Sequence, residues 1–461
     1  MYKAHLTLGV MPTKRSFLSL EVAKEQKEKF MPVIKEIRPD IVTIVDIDDI
    51  CPEGIVNDEA YSPAIVEKFK AAKVDAIFVP FCDFGEEGAV ADVVSKFDVP
   101  ILIWGARDER PNNFTSRGRD TQCGMFAATK VIRRYGKKYS YIFNVPADTD
   151  EFRAGFLKFL RVANVLKDLK GLRIAKIGER PAPFRSVMTN EANLMKRFGI
   201  QVVAIPPVQL QAEMNKIIEE KGERFLATKA DIMARIDTTP APAQSVDNLA
   251  ALKIAVVDTF EAKGCTVGAL ECWPTGGLLG FPACIMIGEV TDLGMPIACE
   301  TDINGAITMA ILRGAMFGDQ AEFLADLTIR NPQNDNSELL WHCGPFAYSL
   351  KKEGCQMFMT GREGNFILKE GDLTLCRFDD DEDEYYLFAG QGKTTTGPET
   401  TGTYTWVEVD DWKKWEEKFM FGPYIHHLGG CYEDIFDVLR EVARYLDVHF
   451  DTPDTPGPKS L

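Results

Sequence analysis

Histidine is scarce in this chain, five residues in 461, and its eleven cysteines include no CxxC pair. A thiolate-rich structural zinc site is therefore not expected, and single scattered thiols suit a reducing compartment. Positive charge is also in deficit: 53 Lys and Arg face 69 Asp and Glu, for a formal net charge of −16. Such a field repels phosphate backbones and anionic bilayers, which argues against nucleic acid and membrane as partners. No apolar run approaches a membrane span, and the opening "MYKAHLTLGVMPTKRSF" has no secretory core, so a cytoplasmic protein is expected. Hydrophobic residues (45%) and charged residues (26%) are in ordinary globular balance, and the length exceeds what one core usually holds.

The expected fold class is α/β: two doubly wound parallel-sheet domains followed by a β-rich C-terminal domain. In residues 1–168, "AHLTLGVM", "IVTIVDI", "DAIFVPF", "PILIWG" and "YIFNV" are β-branched runs separated by amphipathic stretches, the rhythm of a parallel sheet with covering helices. A second α/β domain is read over 169–320, from "KGLRIAKIG" through "GIQVVAIP" and "CTVGALECWP". Residues 321–461 change texture to short strands with turn residues between them, closed by a helix from Tyr432 to Leu446.

Glu271 closes the apolar strand "CTVGALE" and precedes a Trp-Pro turn; Asp302 follows the apolar "MPIACET". Both fall at carboxyl ends of strands, where open α/β sheets form their crevices. A carboxylate at such a place must be paired, hydrogen-bonded or bound to a cation. Asp302 has a second reading, as the cap of a helix starting near Ile303, and Glu300 is read as turning away from the site. His342 ends "ELLWH", and His426 and His427 sit in the Gly/Pro-bounded "FGPYIHHLGG". Carboxylates with imidazole make an O/N set suited to Mn²⁺, Mg²⁺ or Co²⁺. Spacing alone does not group residues so far apart.

Other motifs read as structure. "GQGKTTTGP" would need glycine at 387 to be a phosphate loop, and Leu387 stands there; "DDDEDE", Asp379 to Glu384, reads as a solvated turn. "FCDFGEE" joins a strand to a helix and is either a binding loop or a helix start whose acids favour the dipole.

"ALECWPT", "CETDINGA", "LWHCG" and "GPYIHHLGG" together resemble the metal-site segments of the L-fucose isomerase and L-arabinose isomerase family, over nearly the whole chain. The resemblance implies an aldose–ketose isomerase working through an enediol with a divalent cation, typically Mn²⁺. It implies Glu271 and Asp302 as acidic ligands and proton carriers and His427 as the histidine ligand. It further implies substrate contacts from Arg15, Cys82, Phe84, His342 and His426. A homo-oligomer, commonly a hexamer, is implied too, in which N-terminal residues complete a neighbour's pocket. Arg107, Arg110, Arg117 and Arg119 in "GARDERPNNFTSRGRD" raise the possibility of an anionic sugar, sulfoquinovose being one example. The alternatives are a non-catalytic sugar-binding protein and a metal-dependent sugar hydrolase or aldolase.

Overall fold

The computed structural model describes residues 2–111, 118–273, 283–361 and 363–456. The chain forms two compact units, Ala4–Lys167 and Asp168–Leu461, the second also holding the first three residues.

The N-terminal unit is built on strands β1 (Leu6–Val10), β2 (Val42–Val45), β3 (Ala76–Phe81), β4 (Ile101–Gly105) and β5 (Ser140–Tyr141). They lie in the order β2-β1-β3-β4-β5, and every pairing is parallel. Helices α1 (Leu20–Glu36), α2 (Ser62–Ala71), α3 (Glu87–Ser95), α4 (Thr121–Arg134) and α5 (Asp150–Leu169) cover it. β3 is central and buried along its whole length, which is why "AIFVPF" is a continuous apolar run rather than an alternating one. One face packs Phe30, Phe78, Trp104, Phe152 and Phe156 ring against ring. The strand order reverses between β1 and β3, which opens a crevice at their carboxyl ends.

The second unit contains a parallel sheet of β6 (Arg173–Ile177), β7 (Gln201–Ile205), β9 (Val267–Leu270) and β10 (Ile297–Cys299), in the order β10-β9-β6-β7. Its helices are α6 (Glu191–Phe198), α7 (Pro207–Glu220), α8 (Glu223–Arg235), α9 (Ala243–Lys263), α10 (Ala283–Thr291) and α11 (Ile303–Ala315). A second sheet begins with the two-residue β8 (Ile236–Asp237) and continues through β11 (Phe323–Arg330), β12 (Ser337–His342), β13 (Met357–Met359), β14 (Gly364–Ile367), β15 (Asp372–Asp381), β16 (Glu384–Thr395), β17 (Thr403–Glu408), β18 (His427–Cys431) and β19 (His449–Asp451). Within it, β15, β16, β17, β12, β11 and β18 pair in turn and back to β15, all antiparallel, so six strands close into a barrel. Closure removes the free edges that an open antiparallel sheet would leave. α12 (Trp412–Phe421) and α13 (Phe436–Leu446) complete the unit. One apolar core runs from Ala175 on β6 to Leu428 on β18, so the parallel sheet and the barrel share an interior. No helix among the described residues is long and apolar enough to cross a membrane.

The α/β class and the β-rich C-terminal part are as the sequence implies. α12 is an addition: the sequence reading carries strands up to the final helix, and that helix starts at Phe436 rather than Tyr432.

Candidate active site

The site grows from the junction of α11 with the barrel. Gly429 on β18 leaves room for the helix, since a Cβ there would sit 2.6 Å from the Thr308 methyl group. Thr308 also accepts the backbone N–H of Phe378 on β15 at 2.9 Å. These contacts bring the first turn of α11 to the two strands that carry His427 and Arg377.

Asp302 caps this helix, accepting the Gly305 N–H at 2.8 Å. It is fully buried, and its two oxygens also take the Arg377 guanidinium bidentately and His427 Nδ1 at 2.8 Å. Burial alone would raise this carboxyl; the Arg377 charge and the His427 hydrogen bond outweigh it and hold it well below the usual carboxylate range. Arg377 is itself buried and reaches on to Asp379 at 2.9 Å. Asp302 is thus neutralised by an arginine and saturated with donors. The cap and the ion pair together answer its burial.

Glu300 stands differently. It lies against His427, its Oε2 3.0 Å from His427 Nε2, although the two lack the alignment of a hydrogen bond. Glu300 and Thr301 both adopt left-handed backbone (φ 60° and 55°), which ends the strand alternation one residue after β10. Continued strand alternation would put Glu300 and Asp302, two residues apart, on one face; the left-handed turn instead brings Glu300 to His427, where the sequence reading had it turned away. Asp326 on β11 is the register partner of His427 on β18. Its Oδ1 is 3.6 Å from His427 Nε2 and 3.9 Å from His342 Nε2. Glu300 Oε2, Asp326 Oδ1, His427 Nε2 and His342 Nε2 are all buried without a hydrogen-bond partner. Buried polar atoms so close together without hydrogen bonds mark a place that a water, an ion or a substrate group would complete. Two carboxylate oxygens with imidazole nitrogen form a donor set suited to a hard or borderline divalent cation. A narrower grouping, Glu300 with His426 and His427, also has its ligand atoms within 4.8 Å of one another.

The two inner histidines present different faces. His427 gives its Nδ1 proton to Asp302, leaving an Nε2 lone pair toward the cluster. His342 Nδ1 accepts the Cys343 backbone N–H at 2.9 Å, which puts the ring proton on Nε2, so His342 offers a donor. Asp302, Glu300 and Asp326 raise the His427 pKa against burial, to about 9, so a cation at Nε2 would take the place of a second proton that these acids otherwise hold there. His426 is exposed, and burial of part of its ring with the neighbouring His427 lowers its pKa.

Glu271 follows β9, the strand beside β10, and its carboxylate accepts the Glu179 N–H at 3.0 Å. The Thr301 N–H donates to Leu270 O and its hydroxyl to Glu179 O, lacing the ends of β6, β9 and β10 together. Phe184 bridges Trp273 and the histidine pair, with ring centroids 5.1 Å from Trp273 and 6.3 Å from His427.

Arg15, Cys82 and Phe84 belong to the N-terminal unit, at the carboxyl ends of β1 and β3. The Arg15 N–H donates to Asp83 at 2.7 Å, its guanidinium pairs with Glu86 at 3.0 Å, and it lies 4.4 Å from the Phe84 ring centroid. Cys82 is fully buried and burial pushes its thiol far up, which leaves Arg15 and Phe84 as the partly exposed side chains of this pair of loops. Arg119 is tied into its own loop by Arg107 O, Asp108, Glu109 and Thr121. Arg117 lies outside the described residues.

Arg377 and Asp326 are the residues that sequence reasoning missed. The signal for Arg377 was present: Leu373, Leu375, Arg377 and Asp379 alternate on one face of β15, so an arginine and an acid two apart point where leucines do. All four are buried. The solvated-turn reading of "DDDEDE" is corrected at its start. Asp379 is buried on Arg377, and Asp380 takes the side chains of Asn304 and Thr189, while the exposed turn begins at Asp381.

Residues 9–170 match the family model described as the N-terminal domain of fucose/sulfoquinovose isomerase. Curated relatives include the sulfoquinovose isomerases of Priestia aryabhattai and Priestia megaterium, each 26% identical over 455 residues covering 96% of this chain and 98% of theirs. That of Alkalicoccus urumqiensis is 25% identical over 458 residues, again 96% and 98% of the two chains. A solved galactofuranose binding protein is 11% identical, covers 67% of this chain and 88% of its own, and superposes with a TM-score of only 0.15, too poor a likeness to bear on the fold.

Proposed function

We propose that the chain is an aldose–ketose isomerase of the fucose/sulfoquinovose isomerase kind, that it is metal-dependent, and that it acts on an aldose carrying an anionic group at C6, of the sulfoquinovose kind. The observation that carries the metal is the convergence of orphaned buried atoms from Glu300, Asp326 and His427. These three are the residues proposed to hold Mn²⁺, with Mg²⁺ or Co²⁺ as substitutes. When bound, the cation supplies Lewis-acid polarisation of adjacent sugar oxygens. His342 donates its Nε2 proton to a sugar oxygen. Glu271, on the neighbouring strand end, takes the C2 proton and returns it to C1, and Glu300 handles the hydroxyl proton. Asp302 acts through His427, because its own oxygens are taken. The anionic substituent is supported by what the relatives are named for, with Arg15 as its proposed contact in a homo-oligomer where N-terminal residues reach a neighbour's site. The eleven free cysteines suit the cytoplasm.

Incubation with sulfoquinovose and with neutral aldoses in deuterated water, before and after exhaustive chelation, tests these readings separately. The expected result is the 2-ketose of the anionic sugar carrying solvent deuterium, lost on chelation and restored by Mn²⁺. Full activity after chelation would overturn the metal; turnover of neutral aldoses alone would overturn the anionic substrate.

A further inference from the structure

Three of the strand ends that carry the site also carry a cysteine beside the functional residue: Cys272 follows Glu271, Cys299 precedes Glu300, and Cys343 follows His342. A fourth, Cys284, lies in the first turn of α10. Cys272 and Cys299 share a hydrogen bond, and Cys284 Sγ lies 3.4 Å from Cys343 Sγ. The second pair is held together by packing. Gly288 presses α10 onto the backbone just past Cys343, so closely that a Cβ there would be 2.3 Å from Phe346 O. A disulfide needs its sulfurs about 2.05 Å apart, so closing this pair takes a movement of about 1.4 Å, within reach of side-chain rotation. Cys343 is the partly exposed member and Cys284 the buried one.

We propose that Cys284 and Cys343 form a peroxide-oxidisable pair whose disulfide disables the neighbouring site through His342. The Cys343 sulfur attacks one oxygen of hydrogen peroxide, the O–O bond breaks, and the departing hydroxide leaves as water with the thiol proton. The Cys284 sulfur then displaces the hydroxyl of the resulting sulfenic acid, forming the S–S bond and releasing a second water with its own proton. Two electrons pass from the sulfurs to the peroxide. The consequence follows from one contact: the Cys343 N–H fixes His342 Nδ1 at 2.9 Å, and Cys343 Sγ lies 3.4 Å from the same nitrogen. Closing the disulfide turns Cys343 Sγ away from His342 Nδ1 and so removes one of the two Cys343 contacts that set the direction of Nε2.

The activity arm rests on the isomerase reading; the chemical arm does not. Peroxide treatment of the full-length, Mn²⁺-loaded protein, followed by peptide mass spectrometry without reductant, is expected to show Cys284 joined to Cys343. Isomerase activity should fall by at least about tenfold, the usual penalty for disturbing a site's supporting hydrogen bonds, in step with the cross-link, and return with dithiothreitol. Cys284→Ala should keep its activity before treatment and form no cross-link, its Cys343 carrying instead a sulfenic acid or, on longer exposure, the sulfinic acid that dithiothreitol does not reduce. Absence of the cross-link, or a cross-linked protein with unchanged activity, overturns the proposal. If the untreated protein turns over no aldose, the isomerase reading has failed; the pair then stands or falls on the cross-linked peptide alone.

Discussion

Replacing Asp302 by asparagine tests whether its carboxylate sets the tautomer of His427. The asparagine oxygen can keep the Gly305 N–H, so the helix cap survives. Its amide then occupies the position of Oδ2, where it meets Arg377 as donor against donor and offers a proton to His427 Nδ1. A histidine that accepts at Nδ1 carries its proton on Nε2, and the lone pair facing Glu300 and Asp326 is lost. Supporting carboxylates of metal-binding histidines are worth about 10–100-fold in affinity or activity, so Mn²⁺ binding should weaken by that factor. Stability falls as well. Breaking a fully buried ion pair costs about 3–5 kcal/mol, and the lower end applies because Asp379 remains on Arg377 at 2.9 Å. Titration calorimetry with Mn²⁺ and thermal melts of the metal-free protein read the two effects independently. A folded variant that binds Mn²⁺ within about twofold of the parent would refute the orienting role, since the tautomer shift alone should exceed this.

Glu322 is buried beside Arg313, with one oxygen unpartnered; burial outweighs the arginine's charge and pushes its pKa up to about 8. Its protonated form favours the fold, so its contribution is complete at acid pH and is lost as pH rises toward 8, on the order of 5 kcal/mol at most. Glu322→Gln should therefore flatten the fall in melting temperature between pH 5 and pH 9; an unchanged slope would show that the carboxyl titrates normally. Gly124→Ala places a Cβ 1.6 Å from Phe84 O, a backbone atom that cannot step aside. It should destabilise the protein by at least roughly 1–3 kcal/mol in a thermal melt, and a melt unchanged from the parent would mean that α4 and the Phe84 loop are less closely packed than the structure has them.

Much of the fold was legible because its signals are local. β-branched runs between amphipathic helices give parallel sheets, and β3, with no polar residue along it, reads as the middle of one. Barrel closure is not a local property. It depends on β16 being long enough to pair with β15 along most of its length and with β17 near its end, a coincidence of register between residues such as Thr394 and Val407. No periodicity within either strand encodes that meeting.

The site was legible in its residue types and less so in their roles, for a physical reason located at Glu300 and Thr301. Strand alternation assigns facing only while the backbone stays extended. Two consecutive non-glycine residues in left-handed conformation reset it, and for β-branched Thr301 this conformation is disfavoured, of the order of 1 kcal/mol or more. Such a turn persists only if its surroundings hold it. Here the Thr301 N–H and hydroxyl are both engaged by neighbouring strand ends. The turn swings Glu300 to His427 and delivers Asp302 to the helix cap and Arg377. An extended backbone would leave these two acids on one face with one environment; the turn gives each its own, Glu300 beside His427 Nε2 and Asp302 on the helix cap, Arg377 and His427 Nδ1.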